Sequence, residues 1–469
     1  MTAPHLLFLT PEPPSATGGG LAMRAGSTLR ALAGAGWDVH VLVVPVHGER
    51  SDDGGPTVAR FAASYRVLDL DGLAPGDRRQ AALDVLGDPD LRRALTATSP
   101  RPEPCRRLGA GAVRAVTDLA RGAAPAAGSP FDAVHVLRLY LAPLLDSLLA
   151  RPDRPAITLD VDEDDATVVR QLDALALVGG EDDLAFPDQP AAGSEGDGDR
   201  GDGGEDAGAT GDAPAYERLQ RWYLPRVDRV AVASTVEARR LEERCGLTPG
   251  SIVVVPNEVP ARSGPPAMSA SGPDGQAARP GAPGPDASGA DLLLVGNFSW
   301  PPNADAAAVL CDRIRPALAG ALGRPVTVAL VGKDPPPAVR QLGTAAGVSV
   351  TGLVDDVGPY YAAAGVAAVP MRAGGGSRIK LLEAMDRGVP VVTTTAGAAG
   401  LDDTAEPPVA VAGSVPAFVD ACRQALEDPS WRDRTVRHAR RWVHDHHGPA
   451  AVAAAMDRLV VSPARGGTR

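Results

Sequence analysis

The sequence predicts an α/β protein built from two doubly wound parallel-sheet domains. Three observations carry this. Short apolar, β-branched runs alternate with helical stretches through both halves of the 469 residues. Glycine clusters stand at strand-to-helix junctions, Gly18-Gly19-Gly20 in the first half and Gly374-Gly375-Gly376 in the second. A stretch rich in Pro, Gly, Ala and Ser, residues 261–290, parts the halves as a linker.

The first domain is expected over residues 1–260. HLLFLT at 5–10 is a buried strand, 21–33 a helix and DVHVLVV at 38–44 a second strand, a βαβ opening with glycines at its first turn. The spacing is not GxGxxG and no acidic residue closes the second strand, so a dinucleotide reading is weak. Gly19 and Gly20 then have two readings, a ligand-facing turn or a tight turn before a helix. Residues 50–130 are mixed, with helical stretches and little chemical signal. FDAVHVL at 131–137 is a strand carrying His135, which reads either as a cleft residue or as a packed core histidine.

AITLD at 156–160 is another strand, and acidic residues continue through Asp162, Glu163, Asp164 and Asp165. Asp160 and Asp162 form a DxD pair, which in some transferases holds a divalent metal. They also read as cleft residues for acceptor hydroxyls, as carboxylates at the next helix's N-terminus, or as solvated surface. Cleft lining or capping is favoured, with no metal expected. Residues 179–214, rich in Gly, Asp, Ala and Glu, read as a disordered insertion. A helix over 216–227, strands at 229–233 and 251–255 and an intervening polar helix complete the domain, closed by Pro256-Asn257.

The second domain, 291–445, repeats the rhythm. Strands are expected at 291–296, 325–331, 348–352, 366–370, 389–393 and 409–411. Helices follow at about 304–314, 357–364, 377–387, 416–427 and 431–446. A last helix near 450–461 and a loose tail make up the segment 446–469. In such sheets ligands collect at the strands' carboxyl ends, which places Gly352 and the Gly374 turn there.

Composition narrows the partners. The formal net charge is −12, but residues 181–212 hold eleven acidic residues and one arginine, so the rest of the chain is near −2. No basic stripe suggests nucleic acid. Four scattered cysteines without CxxC spacing read as free thiols in a reducing compartment. The N-terminus lacks a basic region before its short apolar run, and no run approaches the length of a membrane span. A cytoplasmic protein is expected, with peripheral contact to a lipid-linked acceptor left open.

The stretch 366–401 carries the chemical signal. A strand, three glycines, an N-capping Ser377 and a helix to Arg387 make an anion site, because free N–H groups and the helix dipole face the ligand. Arg378 and Lys380 oppose that dipole unless an anion sits there. Of 46 basic residues only Lys333 and Lys380 are lysines, so a lysine here suggests a compact ammonium on phosphate. Glu383 follows one turn on. A salt-bridged helix face is the plainer reading of this cluster, but it leaves the glycines unexplained.

The run GGGSRIKLLEAMDRGVPVVTTTAGAAGL resembles the donor-site signature of GT-B glycosyltransferases of family 4, the glycosyl transferases group 1 type. The likeness extends to TGLVDDVGPYYAAAGVAAVP and LLLVGNFSWPPNADA. It implies two Rossmann-like domains facing a cleft, the first on the acceptor side and the second for the donor, with a terminal helix that packs back on the first. It implies transfer of a sugar from a UDP- or GDP-linked donor to a glycan, lipid-linked or small-molecule acceptor, with retention and without metal or cofactor. Arg378, Lys380, Gly375, Gly376 and Ser377 would meet the diphosphate and Glu383 the ribose, with Gly19, Gly20 and Gly352 bordering the donor. His135, Asp160 and Asp162 would face the acceptor, and Glu383, Lys380 and His135 are the expected catalytic set. Two departures stand out. Many members carry a glutamate where Gly375 stands, and a basic pair where Asn297 and Ser299 stand. A sugar-nucleotide epimerase or a non-catalytic nucleotide-sugar-binding protein is the alternative. A phosphorylase is less apt, as its pyridoxal phosphate needs a lysine and there are two.

Overall fold

A computed structural model describes residues 3–46, 54–73, 101–122, 130–177, 212–259, 289–374, 379–401 and 407–460. Gly375, Gly376, Ser377 and Arg378, the linker up to residue 288, most of the acidic insertion and the tail lie outside the described residues.

The first sheet contains β1 (His5–Thr10), β2 (Asp38–Val43), β3 (Ser64–Val67), β4 (Ala133–Leu137), β5 (Ala156–Asp160), β6 (Arg229–Val232) and β7 (Val253–Val254). Their order is β3-β2-β1-β4-β5-β6-β7, and every pairing is parallel. The second sheet contains β8 (Leu292–Val295), β9 (Val328–Val331), β10 (Val348–Val350), β11 (Val366–Val369), β12 (Val391–Thr394) and β13 (Ala410–Ala412). It is also all parallel, in the order β10-β9-β8-β11-β12-β13. The strand order therefore reverses between β1 and β4, and again between β8 and β11. A crevice opens at such a switch point because the flanking connections leave to opposite faces.

Alternation in the strands builds the core. Leu7 and Leu9 face one side of the first sheet with Val134, Val136, Ile157 and Leu159. Leu6 and Phe8 face the other with Val39, Val41 and Leu137. Both faces are covered, so the strands read as nearly continuous apolar runs. The helix Gly20–Gly34 covers the second of these faces. Its Gly26 is needed for packing: a Cβ there would lie 2.0 Å from the Ser15 carbonyl oxygen of the preceding loop.

The helix Pro449–Leu459 belongs to the first domain's core although it ends the described chain. Val452, Ala455, Met456 and Leu459 pack with Leu6, Phe8, Leu29 and Val255. The helix Pro429–His447 packs on the second domain, where Ala439, Trp442 and Val443 join the core. Gly448 breaks the two helices apart with extended backbone. At this crossing His447 Nδ1 donates to the Asn257 carbonyl (2.7 Å) and the Val259 N–H donates to the His447 carbonyl (2.9 Å).

Three local features differ from the sequence expectation. The edge strand β3 was not foreseen, because its burial lacks a clean apolar period. The helix expected to stop at Ile314 runs through a π turn, Leu310–Ile314, into Arg315–Leu322. Pro316 has no N–H to continue the i→i−4 ladder, and a widened turn at that point is the physical result. The helix Ala213–Tyr223 starts inside the segment assigned to the disordered insertion, with Pro214 in its first turn.

Candidate functional site

The second domain's switch point holds the strongest cluster. Lys380 sits in the first turn of the helix Ile379–Arg387, and its Nζ donates to Oδ1 of Asn303. The Met371 sulfur lies 3.9 Å from the same nitrogen. Asn303 is 4% exposed, and its Nδ2 donates to the Asn297 carbonyl (2.7 Å). One amide side chain thus ties the loop after β8 to the lysine at the edge of β11. The glycines make room for it. A Cβ on Gly296 would come 2.9 Å from Asn303 Nδ2, and one on Gly332 would come 1.8 Å from the Gly296 carbonyl oxygen. Gly332 also has φ +147°. Gly352, φ +70°, borders open space and accepts from the Gly332 N–H (3.2 Å).

Two threonines lock the neighbouring strand ends. Thr393 Oγ1 donates to the Val369 carbonyl (2.8 Å), and Thr394 Oγ1 donates to the Met371 carbonyl. Arg372 in the same loop pairs with Asp305 on the helix Pro301–Val309 (Nε to Oδ2, 2.9 Å). The loop leading to the glycine turn is therefore fixed from three sides before Gly374, φ +119°, turns the chain.

Glu383 does not pair with Lys380. It lies one turn further along and accepts two N–H bonds from Arg387, from Nε at 3.1 Å and Nη2 at 3.0 Å. Burial raises the Glu383 pKa, and the Arg387 charge opposes that rise. Tyr361 is buried below, its phenol pKa also raised by burial and by the Glu383 charge.

The first domain meets this edge. The Gly374 N–H donates to Oε1 of Gln171 (2.8 Å), on the helix Asp165–Leu177. A Cβ on Gly20 would lie 3.4 Å from Ile379 Cδ1. Gly19 is the N-cap of the helix Gly20–Gly34. The glycine turn after β1 and the start of the Lys380 helix thus face each other across the cleft.

Two acceptor-side expectations, His135 and Asp160, are corrected. His135 is 0% exposed inside β4, packed against the Phe8 ring and hydrogen-bonded with Thr158 Oγ1 (2.8 Å). Burial lowers its pKa to about 4 and keeps it neutral. β4 is covered on both faces, so an inward histidine there is a core residue. Asp160 is also 0% exposed and lines no cleft. Arg24 grips it through Nε (3.0 Å) and Nη2 (2.8 Å). Asp162, φ +67°, is shared between Arg24 at 3.3 Å and Arg138 at 3.0 Å. Arg138, φ +82°, also reaches Glu163 (3.1 Å) and Asp165 (2.6 Å). Burial works against both guanidinium charges, but the surrounding carboxylates outweigh it and raise both pKa values. Two non-glycine residues at positive φ within one ion network mark a strained, tightly determined edge. Among the described residues no group of three His, Cys, Asp or Glu side chains is arranged to hold a metal ion.

Sequence reasoning missed Arg24, Asn303, Gln171 and Arg387. Arg24 left one signal, a lone arginine on the apolar face of its helix. The other three are ordinary polar residues whose partners are set by the tertiary fold.

Comparison with known proteins fits this architecture. Residues 19–258, just over half the chain, match the family described as Glycosyl transferase 4-like domain, and residues 289–428 match Glycosyl transferases group 1. No curated protein matches the chain. Among solved structures it resembles sucrose-phosphate synthase from Thermosynechococcus elongatus (17% identity, 97% of this chain and 98% of that one, TM-score 0.58). It also resembles TarM (8% identity, 98% and 99%, TM-score 0.59) and the Anabaena protein HepE, solved with UDP and glucose (12% identity, 97% and 98%, TM-score 0.55). At these identities the structures speak for the fold, and no helix among the described residues is long and apolar enough to cross a membrane. Two parallel Rossmann-like sheets with their carboxyl edges opposed, together with both family matches, show that the chain belongs to the group 1, 4-like glycosyl transferases and is an enzyme with the GT-B fold.

Proposed function

We propose that the enzyme moves a sugar from a nucleoside diphosphate donor, held at the carboxyl edge of the second sheet, to an acceptor presented by the first domain. One observation carries this: Lys380 Nζ is held by buried Asn303 at the β8–β11 switch point, in the first turn of a helix. As the glycosidic bond breaks, negative charge builds on the leaving diphosphate. An ammonium fixed beforehand stabilises that charge without reorganising. The diphosphate is assigned to Lys380, with Gly375, Gly376, Ser377 and Arg378 as further proposed donors, and no step is assigned to a metal. Glu383 is assigned to the ribose hydroxyls and Gly352 to the open rim of the donor pocket. HepE has been solved with UDP and with UDP-glucose, which supports a uridine-linked donor over a guanosine-linked one. Retention of the anomeric configuration follows the family resemblance. The acceptor class, glycan, lipid-linked or small molecule, is set by the first domain, where Asp162 and Glu163 keep partial exposure.

The test is donor consumption. The full chain is incubated with a panel of UDP-, GDP-, dTDP- and ADP-sugars, with and without EDTA, and released nucleotide is measured. One donor should be hydrolysed slowly in both conditions. Lys380→Ala should lower that rate by roughly a hundredfold or more while the protein stays folded. A folded wild-type protein that binds no nucleotide sugar by calorimetry would refute the assignment. A requirement for a divalent cation would refute its metal-free form.

A further inference from the structure

Neither the phosphate nor the ribose assignment at this edge involves Arg387. It lies four residues after Glu383 on one helix, and both side chains are about 15% exposed. The two Arg387 N–H groups converge on a single carboxylate oxygen, Oε1. A surface i,i+4 pair rarely holds such geometry, because each side chain keeps its rotamer freedom. Here the guanidinium is held independently. Its Cζ lies 5.4 Å from the Tyr361 ring centroid. A Cβ on Gly358 would lie 2.9 Å from Arg387 Nη1, so the glycine makes the slot in which Nη1 sits. Tyr361 is fully buried, and its hydroxyl sits between the Lys380 carbonyl (3.4 Å) and the Glu383 carboxylate, to which it also hydrogen-bonds. The slot that holds Arg387 is thereby tied to the backbone of the phosphate-binding residue itself.

We propose that Arg387 is a positioning residue for the nucleotide: by holding Oε1 of Glu383 it fixes the carboxylate plane so that Oε2 receives the ribose hydroxyls of the donor. This rests on the assignment of Glu383 to the ribose. A glutamate has three rotatable side-chain bonds, and ordering them on binding weakens affinity. Arg387 orders them in advance, and its charge opposes the rise that burial imposes on the Glu383 pKa, favouring the ionised form that accepts two hydroxyl hydrogen bonds. Lysine cannot substitute fully, since an ammonium lacks the planar fork.

The test compares ribose and deoxyribose ligands on the full chain. Calorimetry measures UDP and GDP against their 2′,3′-dideoxy counterparts, with inorganic pyrophosphate as the probe of the phosphate subsite. The wild type should prefer the nucleotide bearing both hydroxyls by about tenfold or more. Glu383→Gln and Arg387→Met should bring that preference to within about threefold, and Arg387→Lys should stand between. Pyrophosphate affinity should not change in Arg387→Met, a result that general damage to the domain would not give. Wild-type discrimination in a folded Arg387→Met overturns the proposal. Should that variant not fold, Arg387→Lys decides, and undiminished discrimination there overturns it equally. A wild type indifferent to the ribose hydroxyls fails earlier, at Glu383, while a Glu383→Gln loss without an Arg387 loss fails at Arg387 alone.

Discussion

Replacing Arg24 by methionine tests whether the acidic edge of the first domain is architecture. Methionine keeps most of the apolar stem and removes the guanidinium. Arg24 is 2% exposed and Asp160 is 0% exposed. The substitution strips Asp160 of both charged donors and leaves the Asp162 N–H (2.9 Å) on its Oδ1. It also removes the N–H donated to the Val255 carbonyl (3.1 Å) and to Asn257 Oδ1 (2.8 Å). Removing one partner of a buried ion pair costs about 3–5 kcal/mol, because the other charge stays buried without compensation.

The assay is urea unfolding followed by circular dichroism. Two domains permit two transitions, so the first-domain transition must be separated before a free energy is drawn from it. The midpoint of that transition should fall with its slope unchanged. A cycle sharpens the result. Arg24→Met with Asp160→Leu leaves no uncompensated Asp160 charge and should cost less than Arg24→Met alone. A loss under about 1 kcal/mol in the single variant, or a double variant whose cost is simply the sum, would refute the reasoning and return Asp160 to the list of ligand-facing groups.

Two further outcomes follow from the same structure. The folded-state pKa of His135 is about 4, below its unfolded value near 6.5, so only the unfolded chain takes up a proton between these values. Its stability contribution is complete above pH 6.5 and lost as pH falls toward 4, by about 3 kcal/mol in all; His135→Gln should lack that part of the acid slope, and identical slopes would contradict a buried neutral histidine. Gly332→Ala forces a Cβ into the Gly296 carbonyl at a φ of +147°, so the second domain should lose at least about 2 kcal/mol on thermal melting, and an unchanged melting temperature would show that the β8 and β9 ends are not held together.

The fold was legible because buried parallel strands announce themselves. HLLFLT, AVHVL and VAAV are short, apolar and bounded by turn residues, and each is a central strand. The edge strand β3 escaped because SYRV is half exposed and carries no such run. At the candidate site, the place of Lys380 at the start of a helix after a glycine turn was legible, a local signal. Asn303, 77 positions earlier, was not, since nothing in its neighbourhood says that the Lys380 ammonium will arrive. Asp160 misled for the same reason. An acid at a strand's carboxyl end points to a cleft only if no cation folds over it, and Arg24 comes from 136 residues away.

That arginine has a second consequence. Its guanidinium touches β5's end at Asp160 and the exit of β7 at Val255 and Asn257. Asn257 in turn accepts from His447, the last residue of the helix that leaves the second domain. A continuous line of buried polar contacts thus runs from the first sheet's carboxyl edge to the crossing between domains. Apolar packing alone would let the crossing slide, since it is non-directional. Hydrogen bonds to two carbonyls and an amide fix its orientation instead. The Gln171–Gly374 contact gives the cleft a second fixed point on its other side. With one point at the crossing and one at the glycine turn, directional bonds fix the relative placement of the two edges, as the proposed transfer between a donor on one domain and an acceptor on the other requires.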